Sequence, residues 1–172
     1  MEDFSVAAQL MALSAITAPK SKGQSYVATK VLAGPDLEAL AKAMEEYGPR
    51  YGKKDFDRDA RGVLKSFAVV LIGIKDAQPV GLNCGACGYS TCNDLLAAGR
   101  KQKEFVGPVC AFRLLDMGIA LGSAVKTASL LNVDNRIMYR VGVVARERGI
   151  VDWDFVMGIP LSATGKNVFF DR

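Results

Sequence analysis

The chain has 172 residues and a mass of 18.4 kDa, with half of its residues apolar and 23% charged, which is the composition of one globular domain and not of a disordered or collagen-like chain. Twenty-two Lys and Arg stand against 18 Asp and Glu, a mild net charge of +4. Histidine is absent, which excludes Ser-His-Asp and Cys-His constellations, HExxH zinc sites and any imidazole acting as acid or base.

Along the chain, Phe4, Ala7, Ala8, Met11 and Ala15 share a helical face. Glu2 and Asp3 suit the first turn of that helix, and Pro19 stops it. Ser25 to Leu32, rich in β-branched and aromatic residues, reads as a strand. Gly34-Pro35-Asp36 opens a second helix with Asp36 as N-cap, its buried side carrying Leu37, Leu40, Ala41 and Met44, and Gly48-Pro49 as terminator. Phe56, Ala60, Val63 and Leu64 mark a third, shorter helix, and the nearly unbroken apolar run from Ser66 to Ile74 a central strand.

A fourth helix is expected from Ser90-Thr91 to about Phe105, with Arg100, Lys101 and Lys103 on its solvent face. A long apolar helix follows over roughly Ile119 to Leu131. Asp134 is placed to cap another with Ile137, Met138, Val141, Val144 and Ala145 inward, although Val141 to Val144 also fits a strand; helix is preferred. The tail reads as two extended pieces, Trp153 to Ile159 and Ala163 to Phe170, around a turn. Met11, Met44, Met117, Met138 and Met157 read as core filler. Helices thus dominate a few strands: α+β.

The basic residues come in small groups beside acids, not in a stripe with interleaved aromatics, so no nucleic acid is expected as partner. Phe67 to Ile74 and Met117 to Val125, the longest apolar stretches, fall short of the roughly 20 residues of a bilayer span. Met1-Glu2-Asp3 is acidic where a signal peptide is basic, so the chain reads as cytoplasmic, with its four cysteines held reduced.

Those cysteines carry the chemical signal. Cys84, Cys87, Cys92 and Cys110 follow the pattern C-x2-C-x4-C-x17-C: three thiols on one tight loop and a fourth returned by a helix-sized spacer. Four thiolates in this arrangement suit the four corners of a 4Fe-4S cluster, whose negative charge needs N–H donors and helix N-termini around it. Gly85 and Gly88 let the backbone approach, and Cys92 is expected in the first turn of the fourth helix. Structural zinc is the competing occupant, because Cys84 to Gly88 alone looks like a zinc knuckle; against it, Cys92 and Cys110 do not repeat a C-x2-C pair.

Cys84 to Cys92 with Cys110 resembles the small 4Fe-4S domain of electron-transport complex B subunits and of the corrinoid iron-sulfur protein large subunit. Over its whole length the chain resembles a bacterial and archaeal family of uncharacterised ferredoxin-domain proteins. The flanks, Ala7 to Met11 leading to Thr17-Ala18-Pro19-Lys20, Gly122 to Leu131, and Met157-Gly158-Ile159-Pro160, are similar to the nitroreductase-like flavoprotein fold.

That resemblance implies helices around a small mixed or antiparallel sheet, with an iron-sulfur-binding loop and helix inserted at about 80–112 of a single 1–172 domain. It also implies a homodimer with FMN at the subunit interface. Lys20, Ser21 and Lys22 are the flavin-phosphate candidates where nitroreductases present arginines and a serine, with Gly165 and Lys166 as a second contact. Trp153 and Tyr26 are candidates to stack on the flavin ring.

The expected function is a 4Fe-4S redox protein that passes electrons, with a redox partner protein as one candidate acceptor, or an FMN-dependent oxidoreductase of nitroreductase type acting on a small molecule. The alternative is a non-catalytic assembly module with a structural zinc or cluster.

Overall fold

The computed structural model describes residues 4–170. Met1, Glu2 and Asp3, invoked above for the first helical turn and the leader, lie outside them.

The centre is an antiparallel sheet of four strands, β1 (Val27–Ala33), β2 (Ala68–Ile74), β6 (Phe155–Ser162) and the short β5 (Asp134–Asn135), in the order β1-β2-β6-β5. All seven residues of β2 are buried, as its unbroken apolar run requires of a strand covered on both faces. Alternation sorts them: Val69 and Leu71 face one core, and Val70, Ile72 and Ile74 face the other.

The first core is roofed by α2 (Pro35–Tyr51), α3 (Phe56–Leu64) and α6 (Tyr139–Glu147), the second by α1 (Ser5–Thr17) and α5 (Ala111–Leu130). Helix α6 lies directly on β6. A Cβ at Gly142 would sit 1.9 Å from the Val156 carbonyl oxygen, and one at Gly158 would sit 2.0 Å from Cγ1 of Val141. Met11, Met44, Met117 and Met138 are buried as core filler.

Several boundaries differ from the sequence reading. Phe4 is exposed, resting edge-on against Phe67. Gly34, not Asp36, is the N-cap of α2, and Asp36 lies in the first turn, where its charge still favours the helix N-terminus. Gly48-Pro49 does not end α2: the helix runs through Pro49 to Tyr51, and Gly52 in the left-handed region closes it, with Lys53 N–H on the Gly48 carbonyl.

Helix α4 spans only Cys92–Ala97, because Gly99 turns the chain at positive φ (68°). Beyond it the hairpin β3 (Lys101–Gln102) and β4 (Val106–Gly107) replaces the expected helix, so Arg100, Lys101 and Lys103 lie at this hairpin and not on a helix face.

Helix α5 starts at Ala111, a full two turns before the expected Ile119. Asp134 pairs in β5 instead of capping α6, which begins at Tyr139 and does take Val141 to Val144 as helix. The second extended piece of the tail, 163–170, forms no strand. No helix among the described residues is long and apolar enough to cross a membrane.

Candidate metal centre at the cysteine insertion

The segment from Lys75 to Cys110 leaves the sheet at the Ile74 end of β2 and returns as α5. Cys84 and Cys87 occupy the loop before α4, Cys92 is the first residue of α4, and Cys110 is the N-cap of α5. Cys84 is exposed, Cys87 and Cys92 half-buried and Cys110 buried, and all four line one small pocket with Asn83, Tyr89 and Thr91. The loop shape follows from its residues. Gly85 and Gly88 have φ of 71° and 87°, a region glycine enters at no steric cost, and Gly88 N–H bonds the Gly85 carbonyl at 2.9 Å.

Thr91 and Asp94 form a reciprocal capping box that starts α4 at Cys92. Asn83, itself left-handed, accepts the Cys92 N–H at 2.9 Å, which ties the two ends of the loop together. Cys92 therefore lies in the first turn of its helix, as its spacing suggested. The sequence reading missed that Cys110 also opens a helix, and a long one: α5 has 20 residues, and its positive end faces the pocket. An anionic centre held by these cysteines is favoured there.

Arg113, one turn beyond Cys110, is fully buried. Its guanidinium donates to the Gln78 carbonyl (2.8 Å), the Ser21 and Gln24 carbonyls (3.1 and 3.3 Å), Gln24 Oε1 (2.7 Å) and Asp116 Oδ2 (3.2 Å), and stacks over Tyr26. Asp116 in turn accepts the Ser21 N–H and hydroxyl, each at 2.8 Å. One ion pair thus joins the start of α5, the entry to the insertion and the loop after α1. A charged i, i+3 pair inside an otherwise apolar helix was the available sequence signal for it.

The hairpin is anchored on its far side. The Glu104 carboxylate accepts from Tyr47 (3.0 Å), Lys53 and Tyr139, and Arg146 donates to the Glu104 carbonyl at 2.6 Å. Burial pushes the Glu104 carboxyl up, but these hydrogen bonds outweigh it and hold the group below the usual carboxylate range. Burial and the same carboxylate push Tyr47 and Tyr139 up. Arg100 grips the buried Asp154 through two bonds of 2.7 and 2.9 Å.

The flavin-phosphate candidates are dispersed. Lys20 donates to the Ala15 (2.9 Å) and Ile16 carbonyls at the end of α1, and Ser21 is engaged by Asp116. Desolvation holds the Lys20 ammonium below its ordinary range, against the opposing pull of Asp116. Lys22 reaches toward Gly81, beside the cysteine loop.

Gly165 and Lys166 lie past Ser162, at the opposite end of the sheet: the 20–24 loop feeds the Val27/Ile74/Phe155 end, whereas Ser162 follows the Ala33/Ala68/Leu161 end. Strands of seven residues separate those ends by about 20 Å. Trp153 is packed in the core against Gly73, and Tyr26 lies under Arg113. Among the described residues no three His, Cys, Asp or Glu side chains are grouped to hold a single metal ion.

Comparison with known proteins agrees with this architecture. Residues 106–172 match the family model described as an uncharacterised protein containing a ferredoxin domain (DUF2148). An uncharacterised protein of Archaeoglobus fulgidus is 52% identical over 171 residues, covering 99% of this chain and 92% of its own.

Among solved structures, the nitroreductase CinD of Lactococcus lactis in complex with nicotinic acid aligns with a TM-score of 0.61 at 12% identity, over 96% of this chain and 81% of its own. A nitroreductase with bound FMN from Desulfitobacterium hafniense aligns at 0.57 and 15%, over 96% and 80%. The fold is accordingly nitroreductase-like, α+β with a small antiparallel sheet. Taken with the relative that spans nearly all of its length, the chain belongs to the family of uncharacterised proteins that contain a ferredoxin domain.

Proposed function

We propose that the protein is an iron-sulfur electron carrier in which Cys84, Cys87, Cys92 and Cys110 hold one 4Fe-4S cluster within the 80–112 segment of a single 1–172 domain. The observation that carries the reading is that all four cysteines, the last of them distant in sequence, wall the same pocket. The donor set fits: four thiols match four iron corners, the N-terminus of α5 opposes the cluster's negative charge, and the glycines at 85 and 88 bring main chain close. A bound cluster supplies one-electron chemistry. The chain contributes ligands, a positive helix end and a rigid mount through Arg113 and Glu104.

The test is anaerobic purification followed by an absorption spectrum. A broad shoulder near about 400 nm that bleaches with dithionite is the expected outcome. A colourless protein carrying about one zinc per chain would overturn it in favour of the structural-zinc assembly module.

The flavin reading needs a second copy, because Lys20, Ser21 and Lys22 do not meet Gly165 and Lys166 within one chain. A cavity of ≈ 140 Å³ beside the tail, lined by Arg58, Asp59, Arg61, Lys65 and Arg136, is too small for a three-ring flavin. A homodimer is favoured by exposed apolar side chains on the outer faces of the packed pair α1 and α5, among them Leu13, Ile16, Leu115 and Ile119. Leu13→Glu is expected to convert a dimer to monomer in light scattering. Fluorescence of FMN released by heat decides whether a flavin is present.

A further inference from the structure

A second cavity, of ≈ 310 Å³, backs onto the four-thiol pocket and shares Cys110 with it. Its walls are Pro79, Leu95, Leu96 and Pro108, with Arg100 and Asp76 as its charged members. We infer that this cavity is a binding site for a neutral, planar aromatic carbonyl compound, held against Cys110, the fourth thiol of the centre.

Size and lining set the class of ligand. A volume of this order falls at the small end of ligand pockets, enough for a molecule of one or two rings. The walls offer flat pyrrolidine rings and leucine methyls, which suit an apolar plate. Leu95 is buried and forms the inside of the wall, whereas Leu96 is 55% exposed and stays in water unless something covers it.

The charge pattern rejects an anion. Arg100 is already neutralised by Asp154 through its two-bond grip, and Asp76 adds a negative group to the lining. The guanidinium has five N–H groups, and the bonds to Asp154 and to the Ala77 carbonyl leave some of them over. Held flat by the carboxylate, it can stack on an aromatic face and donate a hydrogen bond to a carbonyl oxygen. A neutral ring with a carbonyl satisfies both; a sulfonate or phosphate meets Asp76 and a cation already paired.

The location rests in part on the cluster reading, since a ring in this cavity would touch the Cys110 corner of that centre. The binding itself does not require iron. The experiment separates the two. The full chain, labelled at leucine methyls, is titrated with 2,3-dimethyl-1,4-naphthoquinone, which has no vacant quinone-ring position for thiol addition.

Saturable shifts at the Leu95 and Leu96 methyls are expected. Leu96→Glu, a change at an exposed position whose fold is checked by circular dichroism, is expected to weaken binding about tenfold or more by setting a carboxylate against the ring. Leu96→Ser should weaken it less, and Leu130→Glu on the end of α5 not at all. Naphthalene-1,5-disulfonate is expected to produce no shift. No response at Leu95 and Leu96, a response confined to leucines of α5, or equal binding of the disulfonate overturns the proposal. The absorption spectrum of the same sample reports on the cluster independently, so each reading can fail alone.

Discussion

The sheet and the cysteine insertion are held together by different physics. The sheet buries two apolar clusters, one on each face, and β2 between them exposes nothing. The insertion has only Val80, Leu95 and Cys110 buried together, far too little apolar surface to order some thirty residues against their chain entropy. What fixes it instead is a set of polar anchors at its edges, Arg113 with Asp116, Glu104 with its donors, and Arg100 with Asp154. Four thiols at the middle, when they carry a metal centre, add ligation energy where burial is lacking. The scaffold is thus held by burial, whereas the insertion it carries is tied down by charged anchors.

That contrast is broken most directly at the thiols. Cys92→Ser is expected to abolish the cluster's colour while the far-ultraviolet circular dichroism of the scaffold persists. Full retention of a cluster by this variant would refute the ligand assignment, and unfolding of the whole chain would refute the independence of the sheet.

Next comes Arg113, the anchor that touches both regions. Arg113→Met leaves Asp116 buried with its charge unpaired, which is expected to cost about 3–5 kcal/mol in chemical denaturation. A loss below about 1 kcal/mol would show that Ser21 alone satisfies Asp116.

The same contrast explains what could be read from the sequence. The sheet side was legible: β2 records its burial in an unbroken apolar run, α1 carries Ala7, Ala8, Met11 and Ala15 at helical spacing, and α3 is amphipathic. The four ligand candidates were legible from spacing alone. The insertion's frame was not. Leu95 and Leu96 continue toward Phe105 with helical spacing, and only Gly99 at positive φ breaks the run, a signal easily absorbed into a helix.

The start of α5 was hidden because Phe112, Leu114 and Leu115 are partly or wholly exposed, so no stripe marks the helix before Met117. Glu104 finds Tyr47, Lys53 and Tyr139 across long sequence separations, and no local pattern encodes those pairings. The two flavin-phosphate segments each look suitable by composition, but composition does not reveal that they follow opposite ends of the sheet.

A smaller effect is expected from Glu104 and is read by pH. Its folded-state pKa lies below the unfolded value, so its contribution is present above the ordinary carboxylate range and is lost as acid protonates it. The wild-type chain should therefore lose stability as pH falls below about 4.5. Glu104→Gln should be less stable at neutral pH and should show a flatter profile in that window. Hydrogen exchange should speed up first at 100–108, the hairpin that Glu104 pins. Uniform acceleration across the sheet would mean that hairpin and scaffold open as one unit.

The smallest effect separates charge that anchors from charge that merely decorates. Lys75 and Asp152 meet at 2.6 Å close to the root of the insertion, and each holds the other's charged form: the carboxylate keeps the lysine above its usual range, and the lysine keeps the aspartate below its own. Their side chains are 44% and 75% exposed, so water screens the attraction and the ordering of the long lysine side chain offsets it. Lys75→Gln is expected to leave the melting temperature unchanged within error, at low salt and at high. A clear drop at low salt that vanishes at high salt would place this pair among the anchors, and the insertion would then be held by its surface charge as well as by the buried ion pairs.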